Sequence, residues 1–247
     1  MKAYAITDIG RKRTLNQDYA YMSMEPVGKL PNLFVVADGM GGHNGGGYAS
    51  RMAVETILAD LAITQEEEAA DMLIHAIRKA NDSIKKAASE DARLSGMGTT
   101  VVAAVCTGKT LVVANVGDSR LYTVNDKEIR QITQDHSLVE EMVRFGGISK
   151  EQARKHPDKN IITRAVGVEN DLKVDCFLVP LEKEDRVLLC SDGLTNMLED
   201  EEIRSMILSE GSVEQRVCAL VAAANDNGGK DNIAVIILEP FSDEVNR

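Results

Sequence analysis

The order of the apolar runs constrains this chain more than any other feature. Runs of strand type recur at Ala3–Ile6, Leu33–Ala37, Thr99–Thr107, Thr110–Val116, Arg120–Val124 and Glu128–Thr133, and two more, Arg186–Cys190 and Asn232–Leu238, close the sequence. Helical patterns lie between them at Gly46–Leu61 and Glu66–Ala88, the second holding Leu73, Ile77, Ala80 and Ile84 at the helical period, and again at Glu199–Leu208 and Val213–Ala224. The helices therefore come as two hairpin-like pairs and do not follow each strand in turn, which disfavours a parallel β-α-β sheet. An α+β architecture covers every apolar face: a four-layer α-β-β-α sandwich, two mainly antiparallel sheets face to face with a helix pair on each outer side. The stretch Cys106-Thr107-Gly108-Lys109-Thr110-Leu111 predicts a hairpin turn.

No linker, repeat or low-complexity run divides the 247 residues, so residues 1–247 are expected to form one domain. Residues 138–166, with a short helix at Leu138–Phe145 followed by Gly146-Gly147, read as an excursion from its core. A hydrophobic content of 44% suffices for a core without disulfides or structural metal, so any metal is expected to be functional. Cys106, Cys176, Cys190 and Cys218 are far apart and form no CxxC pair, and no His/Cys cluster suggests zinc. The N-terminal residues reach Asp8 before any long apolar stretch, and no run approaches membrane-spanning length, so a cytoplasmic protein without membrane insertion is expected. The formal charge of −11 argues against nucleic acid as a partner.

Part of that negative charge is placed unusually. Asp38 follows Leu33–Ala37 and precedes Gly39-Met40-Gly41-Gly42, and Asp192 follows Val187–Ser191 and precedes Gly193. Asp118 ends Val116-Gly117, Asp231 immediately precedes Asn232–Ile237, and Asp18 ends Asn16-Gln17. One Asp-Gly pair is ordinarily a turn. Carboxylates at several strand ends of a sandwich gather on one rim, where their mutual repulsion calls for cations. All-oxygen coordination favours Mg²⁺ or Mn²⁺, and Gly39 leaves its carbonyl open to such an ion. Two ions about 3.5–4 Å apart suit phosphate-ester hydrolysis by an activated water. Arg13, near Asn16-Gln17-Asp18, is the candidate to hold the phosphate, although Arg11 and Lys12 beside it fit a plain basic surface equally well.

These residues resemble the type 2C metal-dependent protein phosphatases, the PPM family, and especially its short bacterial members. The likeness runs in order through Thr7-Asp8-Ile9-Gly10 with Arg13 and Asn16-Gln17-Asp18, Val36–His43, Gly98-Thr99-Thr100, Val116-Gly117-Asp118-Ser119-Arg120, Asp135-His136-Ser137, Ile162–Gly167, Ser191-Asp192-Gly193 and Asp231-Asn232. The resemblance implies a protein serine/threonine phosphatase that uses a metal-activated bridging water and reverses kinase signalling in a bacterium. Its partners would be phosphorylated proteins, among them a cognate membrane serine/threonine kinase and its targets, and a monomer is expected. It further implies that Asp38 bridges two ions, with the Gly39 carbonyl on one and Asp192 and Asp231 on the other. Asp18 would act through a water, Asp118 with Asp192 would hold a third ion, and Arg13 would bind phosphate. Residues Phe145–Asn160, beginning with Phe145, Gly146, Gly147 and Ile148, would form a mobile flap. Animal members commonly carry a histidine, proposed as general acid, where this chain has Met40, which has no proton to give. His43 is an alternative acid, and His136 is expected to organise the start of the following helix. The rivals are a two-metal nuclease, which fits the acidic charge badly, and a catalytically silent phosphoprotein-binding relative, which predicts loss of an aspartate that is in fact present.

Overall fold

Residues 1–42 and 45–242 are described by a computed structural model. Its first sheet has the order β1 (Lys2–Asp8), β11 (Ile233–Glu239), β10 (Arg186–Cys190), β7 (Arg120–Val124) and β8 (Ile129–Gln131). The second runs β2 (Asp18–Ser23), β3 (Leu33–Met40), β5 (Val101–Thr107), β6 (Thr110–Val116) and β9 (Asp175–Pro180), with β4 (Gly98–Thr99) paired to the end of β3. All of these pairings are antiparallel.

The apolar runs lack polar alternation because both faces of each central strand are buried. Phe34 and Val36 of β3 point between the sheets, where they meet Leu189 and Ile236, while Val35 and Ala37 point outward. The outward set packs on α1 (Gly45–Leu61) and α2 (Ala69–Glu90) through Ala53, Ile57, Leu73, Ile77 and Ile84. On the far side, Leu188, Val235 and Ile237 pack on α6 (Asp200–Leu208) and α7 (Val213–Asp226) through Ile203, Ile207, Val217 and Leu220. The expected four layers are therefore present. Removing one of these central side chains, as in Ile236→Ala, costs about 2–5 kcal/mol through lost burial and the cavity left behind.

Some local expectations need correction. Strands β2 and β9 escape the apolar-run criterion because both are edge strands with half-buried patterns, and Leu178 of β9 is 68% exposed. The expected strand Thr99–Thr107 is broken at Thr100, where Thr99 turns to pair with Gly39 and Val166. The predicted helix at Glu66 starts three residues later, with Glu68 at its N-cap. The excursion holds two helices where one is expected: α3 (Leu138–Arg144), capped by Ser137, and α4 (Lys150–Lys155), capped reciprocally by Ser149 and Gln152. A one-turn helix, α5 (Asp192–Thr195), follows β10. Among the described residues no helix is long and apolar enough to cross a membrane.

Candidate active site

The two sheets put their functional ends on one rim. In the second sheet Asp18 of β2 lies directly opposite Asp38 of β3, so both side chains leave the same face. Asp38 is fixed through its main chain: its N–H donates to Thr100 Oγ1 at 2.9 Å, and its carbonyl accepts from Thr100 N at 2.8 Å and Thr99 Oγ1 at 2.9 Å. Ser119 Oγ lies 2.6 Å from Thr100 Oγ1 and so ties the neighbouring Asp118, in the β6–β7 turn, to the same framework. In the first sheet Asp192 starts α5 just past β10, and Asp231 lies just before β11. Ser191 joins the sheets, donating to Asp18 Oδ2 at 2.6 Å while accepting from Ala234 N–H at 2.9 Å.

Electrostatics reveal how crowded this rim is. Burial raises the Asp38 carboxyl well above the usual carboxylate range, and Asp18, Asp192, Asp118 and Asp231 raise it further. Asp18 is pushed up to about 7, by burial first and then by Asp192 and Asp231. Asp192 rises to about 6, by burial and then by Asp231. Asp118 also goes up, through burial, Asp192 and Asp135. These are carboxylates whose ionised forms lack compensating positive charge.

A hard divalent ion fits that deficit. Oδ1 of Asp18 and Oδ1 of Asp192 are buried with no donor reaching them, and the set of side-chain donors is all oxygen. Among the described residues no three carboxylate, imidazole or thiolate groups converge to chelate an ion alone. The fit is therefore to an ion that keeps much of its water, as Mg²⁺ and Mn²⁺ do with few carboxylates.

Arg13, half exposed, donates through Nη2 to Asp231 Oδ2 at 2.7 Å, which leaves other guanidinium donors available at the rim. Its loop is held from the far end of the chain. Buried Asn232 accepts from Gln17 N–H at 2.8 Å through Oδ1 and donates through Nδ2 to the carbonyls of Ile9 and Leu15, both at 2.9 Å. Gly39 proves to have a packing reason beyond an open carbonyl. A Cβ there would lie 2.0 Å from the Gly46 carbonyl oxygen, because the end of β3 abuts the first turn of α1.

Met40 turns its methyl toward Gly98, where a Cβ would lie 2.7 Å from it, in a packing role. His43 lies outside the described residues. His136 differs from its expected role: Ser137 caps α3, whereas His136 Nδ1 accepts from Gly117 N–H at 2.9 Å and its Nε2–H donates to Asp175 Oδ2 at 3.0 Å. Burial lowers its pKa, with Asp175 opposing the shift.

The excursion folds over the rim. Arg154 of α4 donates to the Leu198 carbonyl at 2.8 Å and pairs with Glu199 at 2.8 Å, and Lys159 Nζ donates to Asn196 Oδ1 at 2.6 Å. Between excursion and rim lies a cleft of about 680 Å³ lined by Asp118, Asp192, Glu140, Lys150, Arg154 and Lys159. Phe145, Gly146 and Gly147 are exposed and Ile148 is half-buried at the α3–α4 turn, with the Arg144 guanidinium 5.1 Å from the centre of the Phe145 ring. Sequence reasoning gives no role to Thr100, Ser119, Ser191, Asn196 or Asn232. Ser119, Ser191 and Asn232 are adjacent to rim aspartates and Thr100 stands in Gly98-Thr99-Thr100, which is the signal that could find them; Asn196 has none.

The family model described as Protein phosphatase 2C matches residues 9–236. The chain is 44% identical over 244 residues to the serine/threonine phosphatase stp of Listeria innocua, covering 97% of this chain and 96% of that one. Among solved structures it is similar to the serine/threonine phosphatase Stp1 from Staphylococcus aureus, with 37% identity, a TM-score of 0.89, and 96% and 93% of the two chains covered. It is also similar to the catalytic domain of the serine/threonine protein phosphatase PstP in complex with two manganese ions, with 30% identity, a TM-score of 0.84, and 96% of each chain covered.

Proposed function

This chain belongs to the protein phosphatase 2C family, and on that premise we propose that its rim aspartates hold the ions with which it hydrolyses phosphoserine and phosphothreonine esters of proteins. It is a serine/threonine protein phosphatase, a phosphoric monoester hydrolase of a metal-dependent family. The observation that carries the assignment of the site is the carboxylate set gathered from both sheets, Asp18 and Asp118 buried and Asp38 and Asp192 half-buried, with orphaned buried oxygens on Asp18 and Asp192. A fold with its own complete apolar core has no structural use for so costly a cluster.

In this reading Asp38, the Gly39 carbonyl, Asp192 and Asp231 would together hold two ions, Asp38 shared between them. Asp18 would act through a water, and Asp118 with Asp192 would hold a third ion. The chemistry that Mn²⁺ or Mg²⁺ held by these residues would supply is acidification of a water and neutralisation of developing charge. The protein's own contribution is orientation. Arg13 takes phosphate oxygens with the donors that Asp231 does not use, and Asn232 holds the loop that sets its position. Met40 gives no proton, so the departing serine or threonine oxygen takes one from water. Residues 138–166 form a flap that gates the cleft, supported by their few clamps onto 196–199. The substrates are phosphoproteins in the cytoplasm, a cognate membrane kinase and its targets among them, and the enzyme acts as a monomer.

The test is phosphate release from matched phosphothreonine and phosphotyrosine peptides. Metal-dependent turnover favouring phosphothreonine is expected, with Arg13→Ala raising KM about 10-fold or more through loss of a charge-assisted contact. An unchanged KM in Arg13→Ala would remove its assignment, and folded wild type that binds phosphopeptide without turnover would replace the enzyme with a binding module.

A further inference from the structure

Asp192 is held by one neighbour through one carboxylate oxygen, and its other oxygen is left without a donor. Asn196, one helical turn later, donates from Nδ2 to Asp192 Oδ2 at 2.9 Å, and Oδ1 of the same carboxylate is buried without a donor. An asparagine amide can present either its NH₂ or its oxygen, and the wrong choice would set a carbonyl oxygen against the carboxylate. Lys159 makes that choice. Its ammonium has only donors and lies 2.6 Å from Asn196 Oδ1, which fixes the oxygen outward and the NH₂ toward Asp192. Lys159 belongs to the excursion, just past α4, and Asn196 belongs to the rim.

We infer that Lys159 and Asn196 form a two-step positioning relay, through which docking of the 138–166 segment aims the Asp192 carboxylate at its metal. Neither residue touches the reacting atoms. Each acts through Asp192, so the inference rests on the reading of Asp192 as a metal ligand. Partners that orient a metal-binding carboxylate commonly set metal affinity as strongly as they set activity. The coupling also runs in reverse: whatever affinity the docked segment adds to metal binding, the bound metal returns as tighter docking of the segment. Arg154 clamps the same segment to Leu198 and Glu199, so loss of the relay alone leaves the segment attached.

The experiment is calorimetric titration of Mn²⁺ alone into the metal-stripped full chain, with no substrate and no turnover. The variants are Asn196→Ala, Lys159→Ala, their combination, Lys159→Arg and Asp192→Asn, each with a thermal melt to confirm folding. Asn196→Ala is expected to weaken Mn²⁺ binding about 10-fold and Lys159→Ala about 5-fold. The double variant should match Asn196→Ala alone, Lys159→Arg should retain most of the affinity, and Asp192→Asn should lose at least as much as any. Binding unchanged in Asn196→Ala but lost in Asp192→Asn would overturn the relay and leave the ligand assignment standing. Losses that simply add in the double variant would overturn it too, since they would mean two independent contacts. Unchanged binding in Asp192→Asn would overturn the ligand assignment, and the relay with it. If Asn196→Ala does not fold, the half-exposed Lys159 supplies the test, with wild-type Mn²⁺ affinity in Lys159→Ala as the refuting result.

Discussion

Asn232 is a lever on both stability and catalysis. It is 4% exposed, and its amide makes three bonds to a loop more than 200 residues away in sequence: Gln17 N–H to Oδ1, and Nδ2 to the carbonyls of Ile9 and Leu15. Asn232→Ala leaves those groups without this partner in a space too small for full rehydration. A buried polar group left unsatisfied costs about 1–3 kcal/mol. The loop lies at the surface and water reaches part of it, so the lower end of that range applies to each group and the total is about 3 kcal/mol. For a domain of this size that corresponds to a fall in Tm of about 6–12 °C. Because the loop carries Arg13, KM for a phosphothreonine peptide should rise more than kcat falls. Asn232→Asp sharpens the test. It keeps an acceptor for Gln17 but turns a carboxylate oxygen toward the Ile9 and Leu15 carbonyls, and should be at least as damaging. Thermal melts of the metal-stripped variants, with steady-state kinetics after Mn²⁺ is restored, read both effects. A Tm within 2 °C of wild type with unchanged KM, in either variant, would refute the reasoning.

Two further outcomes follow from single contacts. In Gly193→Ala the new methyl would lie 1.9 Å from the Asn232 carbonyl oxygen, so α5 must back away from the start of β11; a loss of about 2–3 kcal/mol is expected, measurable by urea denaturation. His136 is held neutral in the fold by burial, with its pKa below the ordinary histidine value. The unfolded chain takes up that proton near pH 6.5 and the folded chain only at lower pH, so this residue's contribution to stability is present above about 6.5 and lost as pH falls below it. The difference in denaturation midpoint between wild type and His136→Asn should shrink as pH falls from 7.5 to 5.5; the comparison isolates His136 from the raised rim carboxylates, whose own contribution runs the other way.

The parts of the fold legible in the sequence are those in which one residue type repeats under one physical demand. Central strands such as β3 and β11 are buried on both faces and announce themselves as unbroken apolar runs. Edge strands β2 and β9 are only half-buried, and Asp18-Tyr19-Ala20-Tyr21-Met22-Ser23 carries no comparable signal. The reciprocal cap of α4 was written in Ser149-x-x-Gln152, but the helix is one of only 6 residues and its apolar face is too short to show a period. The rim aspartates could be read because strand ends of a sandwich converge whatever the loops do. Their supports could not. Ser191 meets Asp18 across 173 residues and Asn232 meets Gln17 across 215, and local sequence carries no mark of such partners. Asn196 has its partner Asp192 only four residues away, yet the Lys159 ammonium on its amide oxygen is brought there only by the folded excursion.

The account stands on the claim that Asp38 and its neighbours hold the ions that carry the hydrolysis. The direct measurement is phosphate release from a phosphothreonine peptide by metal-stripped protein as Mn²⁺ is added back, with Asp38→Asn beside wild type and both confirmed folded. Turnover that rises with Mn²⁺ in wild type and stays at least about 100-fold lower in Asp38→Asn at every concentration is the predicted result, given the effect of removing a central charge-stabilising group. Equal turnover in the two proteins, or turnover in wild type that persists without metal, would contradict it.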